Sequence, residues 1–261
     1  EDAVPVAVAG CPPDAFSETG QLWGNPLYNW KRMEDTDFRW WRRRVRQSTL
    51  LFDVLRIDHF IGIARYYAIP AACETAVDGH WVKGPGKKLT DAINKVAAGK
   101  TWILAEDLGV LHPSVKRLRD KNGYPGMKIL LFAFDSDGDN PYLPHHYEKN
   151  AIVYGGTHDN ETIAGYCQGK SRESLAFMMA YLGVEKTEEI PAAMIRLGYS
   201  SVADVAVFQA QDLLGLGNDA RMNEPSTLGH NWLWRLLPGQ MCAPLAAQLR
   251  KWAVLYGRCS D

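Results

Sequence analysis

Short apolar runs that end in an acidic residue recur along the chain and predict buried strands. Four of them cover residues 53–58, 101–106, 127–135 and 151–159, and a fifth run at 205–208 predicts one more strand. Longer segments with apolar residues three and four positions apart lie between these runs and predict helices. Strands that alternate with helices indicate an α/β fold with parallel strands.

The predicted helices cover residues 36–51, 89–96, 114–121, 173–199 and 241–256. In the helix at 173–199, Gly183 and Gly198 are expected to act as stops, because glycine commonly ends a helix. The first thirty residues are predicted to be a loop, since glycine and proline punctuate them densely. The region from 71 to Gly86 is also rich in breakers and is expected to be irregular.

The spacing of the acids points to a barrel. Asp58 and Glu106 are 48 residues apart, and Glu106 and Asp159 are 53 apart. A (β/α)8 barrel uses roughly 30 residues per strand-helix unit, so these intervals fit one enlarged unit and about two units. Active sites of such barrels lie at the carboxyl ends of the strands, which is where these acids fall.

The strand that ends at Asp58 places a cation beside a carboxylate. Side chains alternate along a strand, so Arg56 and Asp58 project to one side and Ile57 and His59 to the other. A nearby guanidinium favours the ionised carboxylate that a nucleophile requires. An ordinary ion pair at a strand end would give the same pattern, so these residues alone do not decide between the two interpretations.

Composition and charge narrow the class of protein. With 261 residues, of which 46% are hydrophobic, the chain is long enough to bury a sizeable core. The net charge of −1 and the lack of a long basic block give no electrostatic basis for binding nucleic acid or a membrane surface. No apolar run approaches the ~20 residues that span a bilayer. The five scattered cysteines form no CxxC pair and suit a reducing compartment such as the cytoplasm.

Several motifs together resemble one enzyme family. They are Gly20–Tyr28 (GQLWGNPLY), Val54–Phe60 (VLRIDHF), Ala105–Gly109 (AEDLG), Thr157–Asn160 (THDN) and Arg221–Pro225 (RMNEP). In this order they closely resemble 4-α-glucanotransferases of the amylomaltase or disproportionating-enzyme family. The resemblance runs from about Val8 to the last helix and implies that the chain is the carboxyl-terminal part of a (β/α)8 TIM barrel, with inserted loops and helices.

The resemblance also implies catalytic roles. Asp58 would be the nucleophile, Glu106 the general acid and base, and Asp159 the residue that holds sugar hydroxyls and stabilises the transition state. Glu106 and Asp107 are adjacent, and strand parity lets only one of them face inward without saying which. The family motif assigns the role to Glu106. The implied ligands are α-1,4-glucans and maltooligosaccharides, and neither an organic cofactor nor a metal is implied.

Further residues are expected to contact substrate. Trp23 offers a flat apolar face to a sugar ring, although an isolated tryptophan could equally attach the loop to the core. The remaining candidates are Asp14, Asn25, Arg56, His59, Asp135, His158 and Asn223.

Rival interpretations remain at the histidine motifs. An HD pair such as His158–Asp159 also occurs in metal phosphohydrolases, but these need additional His and Asp ligands at helical spacing, which the sequence lacks. His145 and His146 are adjacent and have no third spaced ligand, so they are not expected to bind metal.

Three functions are considered. Glucan transfer is first, hydrolysis of α-glucans by the same mechanism is second, and an inactive glucan-binding fragment is third. The family's first three barrel strands have no counterpart in the sequence. We therefore expect the chain alone to aggregate or to bind a partner, possibly the missing amino-terminal half, through unpaired strand edges, and to show no transferase activity.

Overall fold

The computed structural model describes residues 4–13, 17–109 and 111–259 and has a mixed α/β fold. The chain divides into two compact units, residues 1–126 and 127–261. In the described ranges, no helix combines the length and apolar character needed to cross a bilayer.

The strands are short. They are β1 (Ala7–Cys11), β2 (Gln21–Pro26), β3 (Val54–Ile57), β4 (Arg65–Pro70), β5 (His80–Lys83), β6 (Trp102–Ala105), β7 (Gly126–Ile129), β8 (Ala151–Tyr154) and β9 (Val205–Val207). The helices are α1 (Trp30–Asp35), α2 (Arg39–Ser48), α3 (Ile61–Ala64), α4 (Lys87–Ala97), α5 (Pro113–Asn122), α6 (Ile163–Gln168), α7 (Arg172–Leu182), α8 (Ile190–Ser200), α9 (Ala210–Leu213) and α10 (Ala243–Leu255).

The first unit contains a sheet that the sequence did not predict. Its strand order is β2-β1-β4-β5, and the three pairings are antiparallel. The predictions of a loop over the first thirty residues and of irregular structure up to Gly86 were therefore wrong. Gly10 lies within β1 at a point where no side chain fits, because a Cβ at this position would lie 2.1 Å from the carbonyl oxygen of Gln21 in β2.

The predicted strands at 53–58 and 101–106 are β3 and β6, which pair in parallel. Ile57 lies opposite Ala105, and each strand ends one residue before its acid. The amide of Glu106 donates to the carbonyl of Ile57 (3.0 Å), and the amide of Phe60 donates to the carbonyl of Glu106 (3.0 Å). These two bonds continue the ladder past both strands and bring Asp58 and Glu106 side by side. An apolar core from the strands and from α2, α4 and α5 supports the pair.

The second unit contains the sheet β7-β8-β9, in which β8 and β9 are parallel. The predicted strand at 127–135 is shorter than expected, because β7 ends at Ile129 and a 3-10 turn covers Leu130–Phe132. The run from Leu130 to Phe134 is mostly buried, and a fully apolar run has no periodicity that separates strand from turn. The strand at 151–159 is also shorter, since β8 ends at Tyr154.

The helices agree with the sequence more closely. The segment predicted at 173–199 forms α7 and α8, and Gly183 ends α7 in the left-handed conformation (φ 67°). The second expected stop, Gly198, lies inside α8 instead. A Cβ at Gly198 would lie 2.5 Å from the ring of Phe208, so this glycine allows close packing.

Candidate active site

Asp58 lies at the carboxyl end of β3 and forms an ion pair with Arg56. One guanidinium nitrogen of Arg56 donates to Oδ1 of Asp58, as the alternation along the strand predicted. The side chain of Asp58 is 79% exposed, whereas that of Arg56 is 31% exposed. The carboxylate is therefore accessible to a ligand and has a fixed cation at its side.

Glu106 is held beside it in a less exposed position. Its Oε2 accepts from the amide of His59 (2.6 Å) and its Oε1 accepts from the amide of Leu108 (3.1 Å). Burial raises the pKa of Glu106, the negative charge of Asp58 adds to this, and the two amides and Arg56 oppose it. The two acids thus differ in the way that acid-base chemistry requires, with a carboxyl that retains its proton more readily beside an exposed carboxylate.

Asp107 has a different role from its neighbour. It is 5% exposed, and its Oδ2 accepts from Nη1 of Arg119 at 2.6 Å. Arg119 also donates to the carboxylate of Asp120. Because the carboxylate of Asp107 is buried in this ion pair, Glu106 is the acid that remains available for chemistry. Sequence parity left this choice open, and the partner Arg119 was not identified from the sequence.

His59 and Trp23 meet next to the two acids. His59 has a left-handed backbone (φ 45°), and its ring lies edge-on to Trp23 of β2 with 4.8 Å between centroids. Burial lowers the pKa of His59, and Asp58 opposes this effect, so the neutral imidazole is favoured at pH 7. Asn25 lies two residues beyond Trp23 on the exposed strand β2. The remaining candidate on this loop, Asp14, lies outside the described residues.

His158 and Asp159 follow β8 in the second unit. Oδ1 of Asp159 accepts from Nδ2 of Asn223 (2.7 Å), and Oδ2 lies 3.3 Å from Nε2 of His158. Nη2 of Arg221 donates to the carbonyl of Asp159 (2.7 Å), while its Nε donates to the carbonyl of Asn223 (2.9 Å). The three sequence candidates of this region therefore lie together. Arg221 connects the backbones that carry two of them, a role that the sequence did not indicate.

The helix after this loop is also fixed by distant residues. Oδ1 of Asp212 accepts from the amide of Ile163 (2.7 Å), and Oδ1 of Asn218 accepts from the amide of Thr162 (3.3 Å). Asp212 is 2% exposed, and its Oδ2 has no hydrogen-bond partner within the described part of the chain. Burial raises the pKa of Asp212 to about 6, although the bond from Ile163 opposes the shift.

Asp135 follows the 3-10 turn after β7 instead of ending a strand. Its Oδ1 accepts from the hydroxyl of Tyr166 (2.7 Å) and from the ammonium of Lys170. Its carboxylate is thus paired with two side chains of the second unit, Tyr166 and Lys170.

The histidine pair has local hydrogen-bond partners. Nε2 of His145 and Nε2 of His146 lie 3.2 Å and 2.9 Å from the carbonyl oxygen of Gly138. Across residues 4–13, 17–109 and 111–259, no cluster of three or more His, Cys, Asp or Glu side chains could hold a metal ion.

Comparison with known proteins identifies similar sequences and structures. A family model described as 4-alpha-glucanotransferase matches residues 3–240. The 4-alpha-glucanotransferase of Thermus thermophilus is 49% identical over 97% of this chain and 52% of its own length. The chloroplastic/amyloplastic 4-alpha-glucanotransferase of Solanum tuberosum is 49% identical over 95% of this chain and 43% of its own length. The chain thus spans about half the length of the curated relatives it matches.

Two solved structures are similar as well. Amylomaltase from Streptococcus agalactiae, in complex with acarbose, superimposes with a TM-score of 0.92 at 39% identity, over 98% of this chain and 52% of that one. Amylomaltase from Corynebacterium glutamicum has a TM-score of 0.72 at 21% identity and supports the fold alone.

Proposed function

The chain belongs to the family of 4-alpha-glucanotransferases, and on this premise we propose that its acids transfer α-1,4-glucan segments between maltooligosaccharides. The observation that carries the proposal is the exposed, Arg56-paired carboxylate of Asp58 next to the partly buried Glu106. An amylomaltase in complex with acarbose is among the similar structures, which supports α-glucans as the ligand class.

Transfer proceeds in two steps. The carboxylate of Asp58 attacks C1 of a glucosyl residue and forms an ester, while the bond from C1 to the leaving oxygen breaks and Glu106 gives its proton to that oxygen. The 4-hydroxyl of a second glucan then attacks C1, Glu106 takes the hydroxyl proton, and Asp58 leaves as a carboxylate. Two inversions at C1 retain its configuration.

The protein environment suits each role. Arg56 stabilises the ionised Asp58 before attack and after release, and burial raises the pKa of Glu106, which favours the protonated form that a general acid needs. Because its pKa is lowered by burial, His59 is neutral and can donate from or accept at its imidazole without adding charge.

The remaining candidates are assigned to substrate binding. By resemblance, we infer that Asp159, His158 and Asn223 hold sugar hydroxyls; in support, Asp159 accepts from Asn223 and lies beside His158. Trp23 and Asn25 belong to the exposed strand β2 and would contact the glucan from that side. Asp14 and Asp135 keep the same assignment by resemblance alone.

The proposal also covers the arrangement of the strands. We infer that β3, β6, β7, β8 and β9 are strands of a (β/α)8 barrel. The parallel pairs β3-β6 and β8-β9 and the similarity to amylomaltase support this arrangement. A reducing, cytoplasmic location is inferred from the five scattered cysteines, which form no CxxC pair.

Incubation of the complete enzyme with maltotriose tests the activity. A ladder of longer and shorter maltooligosaccharides supports transfer, whereas glucose and maltose alone would indicate the α-glucan hydrolase instead. Binding of maltotriose without any product would identify a glucan-binding fragment and contradict the proposal.

Matched variants test the assignment of the acids. Asp58→Asn and Glu106→Gln keep the side-chain shape and should each lower the rate by several powers of ten. Asp53→Asn makes the same change at an exposed position five residues before Asp58 and should leave the rate unaltered. Near-normal turnover of Glu106→Gln would contradict the mechanism.

A further inference from the structure

Four aromatic side chains form two layers between the end of β2 and the first turn of α2. Trp30 and Trp41 are partly buried against the core of the first unit. Tyr28 and Trp40 lie outside them, with ring centroids 5.5 Å and 5.7 Å from that of Trp41 and 5.7 Å from each other. The outer pair is 36% and 47% exposed, so its rings face solvent on an ordered aromatic base.

The surroundings restrict the motion of Trp40. The guanidinium carbon of Arg44 lies 5.3 Å from the ring centroid of Trp40 and 5.6 Å from that of Trp41. Phe38, two residues before Trp40, is 3% exposed and anchors the corner between α1 and α2 in a left-handed conformation. A rigid aromatic face loses little conformational entropy when a ligand binds to it.

The outer pair is also continuous with the candidate active site. Trp23, which contacts His59, and Tyr28 are five residues apart on and just beyond β2, whose six residues are all exposed. At about 3.3 Å per extended residue, their Cα atoms are at most about 17 Å apart. A glucan bound at Trp23 would therefore need to span at most about this distance to reach Tyr28.

We propose that the exposed rings of Tyr28 and Trp40 form an aromatic platform that binds glucosyl units of long α-glucans outside the site of bond cleavage. The proposal rests on the proposed function, which supplies the ligand class. One face of a pyranose ring carries mainly C–H groups and stacks on a flat aromatic ring, while its hydroxyls stay in water. The platform would favour long glucans over short ones.

The size of the platform favours a sugar over a protein. An aromatic residue can bury 150–250 Å², so two rings at these exposures offer on the order of 170 Å². A stable protein interface needs about 800 Å² on each partner. The segments that carry the two rings also hold exposed basic residues, namely Lys31, Arg39 and Arg43.

The experiment measures binding, so that it does not depend on turnover. Calorimetry on the complete enzyme, in the Asp58→Asn background that removes turnover, compares maltoheptaose with maltotriose for the parent, for Trp40→Ala and for the double variant Tyr28→Ala/Trp40→Ala. We expect the affinity of the double variant for maltoheptaose to fall about five- to tenfold and its affinity for maltotriose to stay the same. Trp81→Ala is the matched control, because Trp81 is an exposed tryptophan (39%) on β5 and should leave both affinities unaltered.

Two further variants distinguish stacking on a flat ring from contact with any apolar side chain. Trp40→Phe keeps a flat ring and should keep most of the affinity, whereas Trp40→Leu keeps apolar area and should not. A far-ultraviolet spectrum and a melting curve like those of the wild type establish that each variant is folded.

Each alternative outcome has a distinct meaning. Equal maltoheptaose affinity in all variants, with maltotriose still bound, would overturn the platform and leave the proposed function intact. Failure of the parent to bind either sugar would overturn both. A wild-type dimer that becomes a monomer only in the double variant would show that a second copy of the chain covers this surface.

Discussion

Removing the charge of Asp212 should change how the stability of residues 127–261 depends on pH. This carboxyl is 2% exposed, accepts one bond from the amide of Ile163, and has a raised pKa of about 6. Because the proton is bound more tightly in the folded state than in the unfolded chain, the folded state gains stability as pH falls through this range.

The size of the effect follows from the two pKa values. The shift from 3.8 to about 6 corresponds to about 3 kcal/mol when the pH lies below both values. Between pH 7.5 and pH 4.5 the linkage relation gives about 2 kcal/mol of that gain, since at pH 4.5 the folded carboxyl is mostly protonated and the unfolded one mostly ionised. Asp212→Asn has no such proton to bind and should lack the gain.

Urea unfolding at pH 7.5 and pH 4.5 measures the difference. Comparing the wild type with Asp212→Asn cancels the other titrating groups, and Asp219→Asn, at an exposed position nearby, should behave like the wild type. A carboxyl carbon resonance of Asp212 that titrates near pH 6 would support the same conclusion. Equal pH dependence in the wild type and Asp212→Asn would refute the reasoning.

Three other changes have specific expected results. Arg119→Ala removes the guanidinium that pairs with the buried carboxylate of Asp107 and should lower the free energy of unfolding by about 3–5 kcal/mol, whereas replacing both residues with Met and Leu should cost much less. Urea unfolding compares the two variants, and equal losses would contradict the ion-pair argument. Activity should fall as pH rises because Glu106, whose pKa is raised by burial, loses its proton. Glu106→Gln should lose about 10²–10⁴ in rate and should lack this alkaline limb. A pH–rate profile of the wild type and the variant measures both effects. The lysine in Arg221→Lys cannot reproduce both hydrogen bonds of the guanidinium. The variant should have a kcat about tenfold lower and a nearly unaltered melting temperature. An unaltered kcat would show that the backbone of Asp159 does not need Arg221.

The sequence predicted the parts of the fold that depend on local patterns. The helices α4, α5 and α10 and the parallel strands β3 and β6 follow from apolar spacing and lie within two residues of their predicted ends. The antiparallel sheet was missed because Gly10, Gly24 and Pro26, which lie within β1 and β2, were interpreted as breakers. Gly10 was interpreted as a breaker, although its partner strand β2 requires a residue without a side chain at that point.

In the candidate site, the sequence predicted local pairs and missed contacts between distant residues. Arg56 and Asp58 are two residues apart on one strand, so alternation was enough to pair them. The separate roles of Glu106 and Asp107 required the position of Arg119, which comes from a helix twelve residues later. No local signal indicates that the carboxyl of Asp212 is buried.

The two neighbouring acids after β6 have a consequence for how the protein tolerates mutation. In a comprehensive mutational scan that reads cellular abundance and transfer activity separately, substitutions of Asp107 should reduce abundance, because they remove the buried carboxylate that accepts from Nη1 of Arg119. Substitutions of Glu106 should leave abundance nearly unaltered and remove activity. Selection would then act on these adjacent codons for unrelated reasons, and neither carboxylate could replace the other.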